Sequence, residues 1–182
     1  MSSYMIVEKL EDVDFQDLLN DYIQCFTRQY LVMETNYNKL EKFEVRFTKT
    51  DVHHLLGFHK IQDSNVNATH TLSQILDGTL TLETARKHNC FDDMKSRLIN
   101  YNFLHRCFID QEVSLCVIPS KGKNPQNLNI VFQDKHRNCN MLIGLRRVRD
   151  YYVPVTMYET NRNGIYNSQR RTKIISAEWK DY

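Results

Sequence analysis

Three histidines and a lysine, His53, His54, His59 and Lys60, fall within eight residues inside the stretch Phe43–Ile61, FEVRFTKTDVHHLLGFHKI. Histidine titrates near neutrality and can take or give a proton. Lysine brings a fixed positive charge that suits phosphate. These types fit metal-free cleavage of RNA. A base takes the ribose 2′-hydroxyl proton, a cation holds the charge growing on phosphate, and an acid protonates the leaving 5′-oxygen. For any one histidine a structural role is at least as strong a reading, since His53 and His54 flank the core candidates Leu55 and Leu56. A metal site from His54, His59 and a distant Asp is a weaker alternative. The chain carries no P-loop, GxGxxG, HExxH, GxSxG or EF-hand pattern, which removes the commonest nucleotide, zinc-protease, serine-hydrolase and calcium readings.

A second group of candidates lies far downstream. Arg146-Arg147-Val148-Arg149 closes one predicted strand, and Arg170-Arg171 with Lys173 precedes another. Paired arginines on neighbouring sheet positions make a phosphate-binding surface. Tyr151, Tyr152, Tyr158 and Tyr166 interleave them and can stack on bases. In strand alternation Thr156 and Tyr158 share a face with Pro154, so a hydroxyl there can touch phosphate. The bland reading is a solvated charged face with half-buried tyrosines. Residues 1–45 hold four Lys/Arg against nine Asp/Glu, and residues 134–182 hold ten against five. That asymmetry suits a polyanion at the C-terminal half, or mutual neutralisation within the fold.

The elements that must hold these residues follow from periodicity. Phe43, Val45 and Phe47 alternate with Glu44, Arg46 and Thr48, which predicts a half-buried strand over 43–48. Upstream, Asp12 or Asp14 caps a long amphipathic helix whose apolar positions run from Phe15 through Phe26 to Tyr30 and Met33. Thr71 opens a capping box for a helix that stops at Gly78, Thr81 caps another, and Asp92 starts a third. Strands are expected over 113–118, 128–133, 140–146, 152–159 and 173–179, joined by turns at PSKGKNP, DKHRN, VRD and NRNG. Short connections imply an antiparallel meander, and Pro154 implies an edge or a bulge. The expected fold is α+β, with N-terminal and middle helices packed on a C-terminal antiparallel meander sheet. Residues 1–182 are expected to form one domain, with 1–42 as its N-terminal helical part.

Composition narrows the class. Apolar and charged fractions of 41% and 25%, with five Gly and three Pro, describe a globular chain without long linkers. No apolar run reaches the roughly 18 residues of a membrane span, and the N-terminus lacks a signal peptide, so the expected location is the cytoplasm. Cys25, Cys90, Cys107, Cys116 and Cys139 form no CxxC or CxxH pair and are given no chemistry.

The strand followed by HHLLGFHKI resembles the "strand, then HLxGxHK" segment of the phage-type nucleases of the Barnase–EndoU–colicin–RelE (BECR) superfamily. Its PBECR4-like branch is the nearest match, and YYVPVTMYE with NSQRRTKII is similar to that family's final sheet segment. The resemblance runs from about Phe43 to Trp179 and implies helices first, then a sheet whose face carries the active site. It implies catalytic roles for His54, His59, Lys60, Arg146 and Thr156. From the sheet it also suggests Gln169 or Arg171, and the basic, tyrosine-bearing face adds Arg147, Tyr158 and Arg170 as substrate-binding candidates; no metal ligand and no cofactor are expected.

The expected function is a metal-independent endoribonuclease that cleaves by 2′-OH transesterification, as a toxin, phage effector or defence component. The alternative is a non-catalytic module that binds nucleic acid or protein through the same basic sheet face. A nucleotide-using transferase finds no supporting motif. RNA is the expected partner, together with an acidic antitoxin or inhibitor protein or a homodimer, and no membrane.

Overall fold

A computed structural model describes residues 4–161 and 163–182. Its first helix, α1 (Phe15–Phe26), starts where the Asp14 carboxylate accepts the N–H groups of Gln16 and Asp17. Such a cap satisfies donors that have no intrahelical acceptor. The helix buries Phe15, Leu18, Leu19, Tyr22 and Phe26. It does not continue to Met33 as the apolar spacing suggests. Gln29–Thr35 is a strand, β1, with Leu31, Met33 and Thr35 turned inward, so the 1–42 segment is not wholly helical. Phe26, Tyr30 and Met33 fit helical spacing, whereas Leu31, Met33 and Thr35 fit a period of two. Pairing with the last strand decides between them.

The second strand, β2, is Lys42–Val45. Five short helices follow: α2 (Val52–Leu55), α3 (Ala68–Leu76), α4 (Leu82–Arg86), α5 (Phe91–Ile99) and α6 (Phe103–Phe108). Asn67, not Thr71, caps α3, and its side chain accepts the His70 N–H. Thr81 caps α4 as expected. The remaining strands are β3 (Leu115–Val117), β4 (Ile130–His136), β5 (Cys139–Val148), β6 (Tyr151–Thr160) and β7 (Arg171–Asp181). The turn expected at NRNG includes Arg162, which lies outside the described residues.

The strands close into a seven-stranded barrel in the order β1-β2-β6-β5-β4-β3-β7. Strands β4, β5 and β6 do form a meander. The rest departs from one: β7 pairs with both β1 and β3, and β2 meets β6 in parallel at Val45 and Tyr152. The fold is therefore α+β with a mixed, closed sheet. Pro154 sits at a bulge, where Thr156 faces Gly144 and Pro154 faces Leu145, leaving Val155 as the extra residue. A bulge lets a residue without an N–H enter a paired strand.

The barrel closes over an aromatic row. Phe26, Phe47, Phe108 and Phe132 follow one another at centroid spacings of 5.4, 5.1 and 5.1 Å, and such ring pairs contribute about 0.5–1.5 kcal/mol beyond area burial. Outside the barrel, α2 and α5 pack on β6. Among the described residues no helix is long and apolar enough to cross a membrane.

Candidate active site

A cleft of about 700 Å³ opens between β6 and the segment that follows β2. Its polar lining comprises Thr50, Asp51, His54, Gln126, Arg146 and Thr156, with Leu128, Val153, Pro154 and Val155 as apolar wall. Four consecutive β6 residues reach one cleft because the bulge interrupts alternation. Two separate stretches of sequence thus supply the two walls.

The first wall is a tight run of turns. Thr48 and Asp51 form a capping box. The Asp51 carboxylate accepts the Thr48 N–H at 2.6 Å and the Thr48 hydroxyl at 2.8 Å, with the Tyr22 hydroxyl at 3.4 Å. Helix α2 then delivers His53 inward and His54 outward. His53 is buried, and its Nδ1 lies 2.9 Å from Thr71 Oγ1. The same Thr71 hydroxyl lies 3.3 Å from the Asn67 carbonyl, which ties His53 to the start of α3. His53 is thus a satisfied core histidine. The chain turns at Gly57, whose φ is +82°, and a Cβ there would lie 2.9 Å from Met94 Cβ. That close approach seats the turn on α5, from which Arg97 Nη1 donates to the His54 carbonyl at 2.8 Å. His59 donates from Nδ1 to the His53 carbonyl at 3.2 Å.

The second wall comes from the barrel. Arg146 is held by the carbonyls of Asn127 (3.3 Å) and Gln126 (3.0 Å). The Tyr158 hydroxyl donates to Gln126 Oε1 at 3.1 Å. Thr156 stands opposite Gly144, where a Cβ would come within 3.0 Å of Thr156 Cγ2.

Electrostatics separates the titratable groups of the cleft. Burial, reinforced by the Arg97 guanidinium, holds His54 below the ordinary histidine value. Burial pushes Asp51 up to about 6, against the Thr48 and Tyr22 hydrogen bonds that favour its charged form. His53 is driven down to about 4 by burial and by His54 and His59. His59 is lowered by burial, partly offset by its bond to the His53 carbonyl. A neutral imidazole and a carboxyl group that holds its proton towards pH 6 therefore share one cleft. Environments that drive two titratable groups in opposite directions divide base from acid.

The expected site residues fall into two sets. His54, Arg146 and Thr156 line the cleft. His59 lines an adjoining hollow of about 330 Å³ with His53, His54 and Asp63, its ring 4.9 Å from that of His54. Tyr158 stands behind the wall, linked through Gln126. The others do not line the cleft. Lys60 is exposed at the end of the turn Phe58–Lys60, whose buried anchor is Phe58. Arg147 lines a separate hollow with Asp150 and Tyr152, and its Nε donates to the Arg149 carbonyl. Gln169 braces two loops, donating to the Lys123 and Ile165 carbonyls and accepting from the Ser120 N–H. Arg170 is exposed. Arg171 bonds the Gln133 carbonyl in a hollow with Asp134 and Asn167.

Sequence reasoning passed over Asp51 and Arg97. The Thr48-x-x-Asp51 spacing of a capping box was a legible signal for Asp51. Arg97 carries none, because a charged residue on a short helix reads as solvent-facing. Among the described residues, one group of His, Cys and carboxylate atoms is close enough for a metal: Asp21, Cys25 and His105. Asp21 already accepts from Tyr101 (2.7 Å), His105 Nε2 (3.0 Å) and the Met5 N–H (2.6 Å), and this network fastens the N-terminal segment to α1 and α6.

The family model PBECR4, phage-Barnase-EndoU-ColicinE5/D-RelE like nuclease4, matches residues 14–182. No curated protein and no solved structure matches the chain.

Proposed function

The chain belongs to this family of nucleases, and on that premise we propose that it is a metal-independent endoribonuclease whose active site is the 700 Å³ cleft. One observation carries the reading: His54 lines a single cleft with Arg146 and Thr156, which follow it by about a hundred residues in sequence. Neutral His54 takes the proton of a ribose 2′-hydroxyl. The 2′-oxygen attacks the adjacent phosphorus, and Arg146 with the Thr156 hydroxyl holds the non-bridging oxygens as charge grows on them. The 5′-oxygen leaves with the proton of Asp51. The products are a 2′,3′-cyclic phosphate and a 5′-hydroxyl. His59 buttresses His54, Tyr158 holds Gln126 in the wall, and Lys60 makes an outer contact with the strand.

The donor set favours proton transfer over metal chemistry. Asp51 is the carboxylate of the lining and His54 its imidazole, whereas a catalytic divalent ion takes several oxygen ligands. The setting that accompanies this reading is a cytoplasmic toxin, phage effector or defence component, restrained by an acidic inhibitor protein.

The test is purified protein on RNA and on DNA of the same sequence, in EDTA, with His54→Ala and Arg146→Met beside it. RNA cut to cyclic-phosphate ends by the wild type and spared by both variants supports the proposal. Activity that needs a divalent ion, cuts DNA equally, or survives His54→Ala refutes it. Salt-sensitive retention of RNA without cleavage would instead favour a binding module.

A further inference from the structure

Beneath the cleft lies a charge that the reaction above does not use. Arg97 of α5 is only 9% exposed, yet it has no ion-pair partner among the described residues. Its Nε is buried without a hydrogen-bond partner, and its Nη1 donates to the His54 carbonyl at 2.8 Å. A buried guanidinium with so few partners is costly to retain. The packing around it is close: a Cβ on Gly57 would lie 3.1 Å from Arg97 Cδ. Burial holds its pKa below the usual arginine value, against the opposing pull of Asp93 and Tyr158. Helix α5 is tied to β6 by Ser96, which donates to Glu159 at 2.7 Å. Helix α5 therefore joins the two walls, Arg97 holding the His54 turn and Ser96 holding β6.

We infer that Arg97 is the positioning residue of this site, gripping the main chain of His54 from below and setting a buried positive charge beside its imidazole. The inference rests on the reading of His54 as the base. The grip fixes where α2 presents the ring. The charge resists a second cation in the same place, so His54 stays unprotonated and ready to accept a proton. The other groups around His54 are His53 and His59, at ring spacings of 4.8 and 4.9 Å, with Asp51 and Arg146 in the cleft and Asp63 in the adjoining hollow. Of these only Arg146 brings a permanent positive charge, and it is exposed and held by the Gln126 and Asn127 carbonyls, whereas the charge that lowers His54 is that of Arg97. Lys60, at the end of the same turn, is exposed.

The experiment is an NMR titration of the His54 imidazole in the folded wild type and in Arg97→Met, Arg97→Gln and Arg97→Lys, alongside the pH dependence of RNA cleavage. Arg97→Gln keeps an N–H within the side chain but removes the charge, and should raise the His54 midpoint. Arg97→Met should raise it too and lower kcat about a hundredfold with KM little changed, the scale of a catalytic group displaced by about an ångström. Arg97→Lys should keep the midpoint low. A folded Gln or Met variant with an unmoved midpoint and an unmoved pH–rate profile overturns the inference. So does loss of folding in all three variants, which would make Arg97 a structural residue alone. Failure of the wild type to cut RNA would overturn the catalytic reading, while the titration would still decide whether Arg97 governs His54.

Discussion

Gly57→Ala is expected to damage stability and activity together. The residue has φ +82°, and an L side chain in left-handed backbone costs about 1–2 kcal/mol. The added Cβ would meet Met94 Cβ at 2.9 Å and Met94 Cα at 3.3 Å, and neither atom is the free end of a flexible side chain. Overpacking of this kind adds about 1–3 kcal/mol. The sum, about 2–5 kcal/mol, is a large share of the 5–15 kcal/mol typical of a domain. Relief requires the turn to lift off α5, which carries the His54 carbonyl away from Arg97. Urea unfolding reads the first effect, and cleavage by the folded fraction reads the second. Gly122→Ala is the control, because its Cβ would meet nothing within 4 Å, and it should stay within about 0.5 kcal/mol of wild type. A Gly57→Ala protein with the control's unfolding midpoint and full activity would refute the account of the turn.

Arg146→Met should lower kcat/KM about 10²–10³-fold, as loss of a preorganised donor does, while the unfolding midpoint moves little because the side chain is exposed. The pH dependence of cleavage should be a bell. The rate rises as pH climbs through the lowered His54 value and the base loses its proton, then falls as pH climbs through about 6 and Asp51 loses the proton it must donate. An alkaline optimum would remove Asp51 from the acid role. Stability should decline on acidification between pH 6.5 and about 4. The unfolded chain protonates His53 and His136 in that window, while burial keeps both neutral in the native state down to about 4. His53→Gln should flatten that slope in pH-dependent thermal unfolding.

Much of the barrel was legible in the sequence because strands β3 to β7 read as short strand-forming runs bounded by turn residues, and because Pro154 could enter a paired strand only at an edge or a bulge. Closure was not. The β1–β7 pairing joins residues about 145 apart, Leu31 with Trp179 and Met33 with Ala177, and nothing local encodes it. Helix α6 escaped because it has no polar face to set a period: Phe103, Leu104, His105, Cys107 and Phe108 are all buried. In the site, residue type pointed to His54, Arg146 and Thr156, which line the cleft. Type alone could not separate them from Arg147 and Arg171, whose side chains hang from other parts of the barrel wall. Nor could it separate the outward His54 from the inward His53, because that is a matter of helical phase.

The parallel contact between β2 and β6 has a further consequence. It registers at Val45 and Tyr152 and is extended by the Arg46 N–H on the Tyr152 carbonyl, whereas β5 and β6 pair along nearly their whole length. A ladder this short is the weakest stave joint of the barrel, where sub-global opening should begin and amide protons should exchange with solvent soonest. The cleft lies just beyond it, bounded by Thr50 and Asp51 on one side and Val153 and Pro154 on the other. Its width is therefore governed by a joint that can part without unfolding the remaining staves, and a strand of nucleic acid bound across both sides would act as the missing rung.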